Sequence, residues 1–106
     1  MALKVLPPHK AFDRSGDSRS GGYAKVASKT YPPKFPRGPR GRGFFEHEVE
    51  ATIAARSNDA TDDQLRLLVE RLVSARPSLV GATAEETRSL VNDLVAECVP
   101  KIRRRR

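Results

Sequence analysis

The chain has no tryptophan, one cysteine and two histidines in 106 residues. A lone Cys98 excludes an internal disulfide and any zinc site built on several cysteines. His9 and His47 stand too far apart to form a spaced ligand pair, so no metal and no cofactor are expected. Long apolar runs are missing as well. Nothing approaches the ~20 residues that cross a bilayer, and the opening Met-Ala-Leu-Lys-Val-Leu-Pro-Pro is too short and proline-broken for a signal sequence. The expectation is a cytoplasmic protein without a membrane partner. There is also no phosphate-cradling Gly-Lys-Ser/Thr loop and no Ser/His/Asp or Cys/His arrangement. The paired carboxylates Asp62-Asp63 and Glu85-Glu86 fall where helix starts favour negative charge. The chain is therefore not expected to be an enzyme. With apolar residues at 38%, any core is modest for this length.

Negative charge is scarce in one half only. Residues 1–45 carry ten Lys/Arg against Asp13 and Asp17, a net +8; residues 46–106 carry ten against eleven Asp/Glu, a net −1. Four of the later arginines form the end, 103–106. A surface built only for solubility intersperses both signs. Here the positive field is concentrated in the front and at the far end, where the tail is either solvated or an added phosphate anchor.

Leu3, Val5 and Leu6 form an extended lead-in. Pro7-Pro8 presets φ for a helix start, and a short helix over 8–13 follows with Ala11 and Phe12 as its apolar side. Arg14-Ser15-Gly16-Asp17 reads as a turn. Ser18 is the N-cap of a second helix reaching about residue 28. Tyr23, Val26 and Ala27 share its core face, while Arg19, Ser20, Gly22, Lys25 and Lys29 fall on the other side. Gly21-Gly22 weakens this helix by ~1 kcal/mol per glycine relative to alanine. Either packing tolerates that cost, or the small residues let the helix approach another surface closely.

Residues 31–45 carry Pro, Gly, Lys and Arg and no carboxylate. They give two extended arms around a tip, a wing-like hairpin. A helix over 46–56 follows, with Phe45, Val49 and Ile53 on one face and Glu46, Glu48 and Glu50 outward. Tyr23, Phe44 and Phe45 have the spacing of core residues rather than of base-stacking platforms. Residues 57–60 are a linker. Thr61-Asp-Asp-Gln64 and Thr83-Ala-Glu-Glu86 match the capping-box pattern. They open helices over 62–75, with a stripe of Leu65, Leu68, Val69, Leu72 and Val73, and over 84–98, with Leu90, Val91, Leu94, Val95 and Cys98. Pro77 and Pro100 stop them. Two such helices bury too little alone, so the hairpin packs on the front half or on another copy.

The order of helix, turn, helix, aromatic-proline stretch, basic hairpin and acidic helix rests on particular residues. These are Gly16-Asp17-Ser18 with Tyr23, Tyr31-Pro32, Arg37-Gly38-Pro39-Arg40 with Gly43, and Phe44-Phe45-Glu46-His47-Glu48-Val49 followed by Ile53. Through these motifs residues 3–56 resemble the AlpA-like and excisionase group of winged helix-turn-helix proteins, related in shape to the DNA-binding end of MerR-type regulators. The chain departs from the group's pattern at Asp17, where an apolar residue is usual, and at Lys29, where glycine is common. Phe44 and Thr52 stand where Trp is frequent, and Pro33-Lys34 inverts the usual order. With the capping signals, the resemblance implies a mainly α fold with a small β wing. A winged helix-turn-helix domain (1–56) would be followed by a C-terminal two-helix hairpin (57–100) and a basic tail (101–106).

Residue chemistry then assigns roles. The helix begun by Ser18 enters a major groove, where Arg19 suits bidentate contact with guanine O6 and N7 and Ser20 a base or a phosphate. Gly22 contributes a smooth surface, and Lys25, Lys29 and Arg14 reach phosphates. Lys34, Arg37, Arg40 and Arg42 follow the adjacent minor groove. Leu65, Leu68, Leu72, Leu90 and Leu94 are expected to serve docking or self-association. The expected partner is double-stranded DNA, which makes the protein nucleoid-associated. The resemblance implies an excisionase, or recombination directionality factor, of a prophage or mobile element. Such proteins bind adjacent sites with other copies of themselves, bend DNA and bias a tyrosine integrase toward excision. A transcriptional regulator of the same fold, dimerising through the hairpin, is one alternative. A basic RNA-binding protein is the other.

Overall fold

Proline and glycine set the ends of the first helix. In the computed structural model, which describes residues 4–36 and 42–99, Pro8 opens helix α1 (Pro8–Ser15) and Gly16 ends it in the left-handed conformation at φ 77°. The helix runs past residue 13 because glycine, not Arg14, is what stops it. The Gly16 amide donates to Asp13 O and the Asp17 amide to Phe12 O, so the last carbonyls find partners. Ser18 caps helix α2 (Arg19–Ala27), its Oγ accepting from the Gly21 amide at 3.0 Å.

Strands β1 (Val5–Leu6), β2 (Phe35–Pro36) and β3 (Arg42–Phe45) form a small antiparallel sheet with β3 in the middle. Val5 faces Phe45 and Leu6 faces Phe44; Phe35 faces Gly43 and Pro36 faces Arg42. Successive strand residues point to opposite sides, so the buried Phe44 and Phe45 serve two different packings. Phe44 joins an aromatic cluster centred on Phe12, whose ring centroid lies 5.0 Å from Tyr23, 5.5 Å from Tyr31 and 5.3 Å from Phe44. Ala11 and Val49 complete this first core.

Helix α3 (Glu46–Ser57) leaves β3 without a linker and is followed by α4 (Asp62–Ala75), a 3-10 turn (Arg76–Leu79) and α5 (Ala84–Cys98). Both capping boxes form. Thr61 and Thr83 accept from the amides of Gln64 and Glu86, whose side chains accept in return from the Thr61 and Thr83 amides. The result is a mainly helical chain with a small antiparallel sheet.

A second core joins Ala51 and Ala55 of α3 to Leu65, Leu68 and Leu72 of α4 and to Val91, Val95 and Cys98 of α5. The hairpin thus packs on its own chain. Of the two roles expected of them, Leu65, Leu68 and Leu72 take docking on the front half rather than contact with a second molecule, since all three are buried inside the protomer. Leu94 packs against the same core, and both it and Leu90 are half-buried. Helix α3 is buried on two sides, with Val49 in the first core and Ala51 and Ala55 in the second. Glu48, expected outward, is instead fully buried, because Arg76 reaches it from the end of α4.

Candidate nucleic-acid interface

The outer side of α2 is lined by small and cationic residues. Ser18, Arg19, Ser20, Ala24, Ala27, Ser28 and Lys29 are exposed, while Tyr23 and Val26 pack against the first core. Ala27 therefore belongs to the solvent side and not to the core face. Gly22 moves the other way. It is buried, and a Cβ built on it would stand 2.5 Å from the Phe12 ring. Its missing side chain lets α2 cross close over α1, which removes it from the surface offered to a ligand.

Lys29 follows the helix in a left-handed conformation, φ 68°. Its amide donates to Val26 O and the Thr30 amide to Lys25 O, the hydrogen-bonded ending that glycine favours. A lysine holds this conformation at a cost of ~1–2 kcal/mol, and its side chain is exposed.

Several expected phosphate ligands already have partners. Arg14 Nη1 donates to Glu46 Oε2 at 2.7 Å and to Glu50 Oε2 at 3.1 Å. Lys25 Nζ donates to Asp17 Oδ1 at 2.8 Å. The nearly buried Asp17 carboxylate also accepts from the Ser15 hydroxyl at 2.7 Å and from Arg56 Nη1 at 3.1 Å, joining α1, α2 and α3. Burial alone pushes this carboxyl up, but the hydrogen bonds from Lys25, Ser15 and Arg56 outweigh it and hold the group below its ordinary range. Asp17 thus forms a polar hub at the junction of the three helices. Lys34 Nζ sits 5.0 Å from the Tyr23 ring centroid. Among the described residues, Arg19 and Lys29 have no ion-pair partner. Arg37 and Arg40, with the tail 101–106, lie outside the described residues; Arg42 begins β3.

The residues that hold this surface from behind carried no signal in the sequence. Arg76 donates from Nε to Glu48 Oε2 at 2.8 Å and from Nη2 to Glu48 Oε1 at 2.7 Å. Arg66 Nε donates to the Ser28 carbonyl at 3.1 Å. Arg76 reads only as a residue before a proline, and Glu48 as one of three alternating acids. Nearby, His47 is nine-tenths buried and Nε2 lies 3.9 Å from Glu48 Oε2. Neither of its ring nitrogens has a hydrogen-bond partner among the described residues. Burial holds this imidazole below its ordinary pKa. Cys98 is buried and its thiol is pushed up by burial, the opposite of an activated thiolate.

Within the described residues, no helix is long and apolar enough to cross a membrane. Among the described residues, no group of three or more His, Cys, Asp or Glu is placed to hold a metal. What the arrangement offers is a helix with short outward side chains, a cation at each end and a β hairpin beside it in the same basic half. Compared with protein-family models, curated proteins and solved structures, the chain has no match.

Proposed function

We propose that this chain binds double-stranded DNA as a winged helix-turn-helix protein, with α2 in a major groove and the β2–β3 hairpin as the wing over the adjacent minor groove. The observation that carries the reading is the open outer side of α2, where Arg19, Ser20, Ala24, Ser28 and Lys29 remain exposed in the folded chain. The three residues 16–18 between α1 and α2 suit a helix-turn-helix. Short side chains let such a helix approach base edges, and Arg19 in its first turn is the guanine reader. Lys29 and the basic segment 34–42 supply phosphate contacts, which give affinity without sequence preference. Arg14 and Lys25 join them only by exchanging a carboxylate for a phosphate.

Within this class we favour an excisionase-type accessory factor that biases a tyrosine integrase toward excision. The leucine stripe through which a regulator would dimerise is used inside the protomer. Contacts between copies on adjacent sites would then use other surfaces of the chain. Selection from a random duplex pool, followed by footprinting on DNA flanking the gene, tests this. Tandem direct sites beside an attachment core support the accessory role. A lone palindrome over a promoter shifts the reading to a transcriptional regulator. Tighter binding to structured RNA than to any duplex at equal salt would sink it.

A further inference from the structure

Between α4 and the front half lies an open groove of about 580 Å³, bounded by Val26, Tyr31 and Pro33 on one side and Val69 and Val73 on the other. Apolar packing does not close this side of the molecule. Two arginines bridge it instead. Arg66 donates from Nε to the carbonyl of Ser28, the C-cap of α2. Arg76 makes its paired hydrogen bonds with Glu48, donates from Nη2 to the Pro33 carbonyl at 3.0 Å, and lays its guanidinium 5.0 Å from the Phe45 ring centroid. Pro33 lies two residues before β2 and Phe45 is the last residue of β3. One planar group therefore grips both arms of the β hairpin at their base, together with α3. A lysine cannot reproduce this, because a single ammonium makes neither a two-pronged pair nor a stacked contact.

We infer that the C-terminal hairpin acts as a buttress for DNA binding, with Arg76 the positioning residue for the wing and Arg66 the positioning residue for the end of the groove-entering helix. The inference rests on the DNA-binding reading above. In this inference both arginines act through the elements that they hold, Arg76 with Nε and Nη2 committed to Glu48 and Pro33 and Arg66 with Nε committed to Ser28.

Charge-preserving variants of the full chain test it, Arg76→Lys and Arg66→Lys. Amide hydrogen exchange is read first, without DNA. Arg76→Lys is expected to speed exchange in residues 31–35 and 43–45, and Arg66→Lys in residues 27–30. On a duplex selected by the wild-type protein, Arg76→Lys should bind about tenfold more weakly, within the usual range for linked sites. It should lose minor-groove protection from hydroxyl radicals yet keep protection of guanine N7 under α2. Arg66→Lys should show the reverse pattern. Unchanged exchange in both variants overturns the inference, as does parallel loss of both protections in step with thermal stability. If Arg76→Lys does not fold, Arg66→Lys, whose side chain is 46% exposed, still decides through its own pair of readouts. A wild-type protein that selects no duplex removes the DNA-binding reading, while the exchange pattern still decides whether the hairpin braces the front.

Discussion

Gly22 acts through the side chain that it lacks. Counting periodicity in a nine-residue helix with two adjacent glycines placed it on the outer side, because Tyr23, Val26 and Ala27 leave the phase of so short a helix poorly fixed. The aromatic ring of Phe12, on another helix, decides the phase, and no local pattern reports it. We expect Gly22→Ala to lower stability by ~1–3 kcal/mol through overpacking, outweighing the ~1 kcal/mol that alanine adds to a helix. A fall in the urea midpoint checks this, and an unchanged midpoint would mean that α1 and α2 do not cross here. Arg19 belongs to the other side of the same helix, exposed and without an ion-pair partner among the described residues. Arg19→Ala should relax discrimination at one base pair by ~1–3 kcal/mol. Competition between the selected duplex and single-base variants measures it. Equal ranking of all variants before and after the change would place another residue at the bases.

At the scale of elements, α4 and α5 were legible almost to the residue, since a Thr N-cap answered by Gln or Glu three positions later is local information. What their apolar stripes meet is not local. The sequence left open whether the hairpin folds onto the front or onto a second molecule, and Ala51 and Ala55 of α3 supply the answer. Alanines as small as Ala51, next to Glu50, and Ala55, next to Arg56, carry little hydrophobic signal, so α3 read as one-sided. The buried Glu48 was hidden for the same reason, as its partner lies 28 positions away. A fragment ending at residue 57 loses α4, α5 and Arg76 together. We expect it to show no cooperative thermal transition by circular dichroism and to bind no single site. A sharp transition in that fragment would show that the front half folds alone.

At the scale of the whole molecule, charge is sorted as well as segregated. Arg56, Arg66, Arg71 and Arg76, from the C-terminal half, are paired with Asp17, Asp63, Glu97 and Glu48, which leaves the field of the front half less opposed. Acid should weaken the fold in two separate windows. Burial lowers the His47 pKa from its ordinary 6.5. As pH falls through about 6.5, the unfolded chain takes up this proton before the folded one, and stability declines. Asp17 is held below its ordinary 3.8, so its contribution is complete above that value and disappears as pH falls through the lower folded pKa. Denaturation midpoints from about pH 7.5 to about pH 5 should fall in the native chain and change less in His47→Phe. Equal slopes would assign the first loss to another group. Because α3 is a wall common to two rooms, disturbance on one side has no partition to stop it. A bulkier side chain at Ala51 or Ala55 would be felt in the first core beneath α2, although neither residue belongs to it.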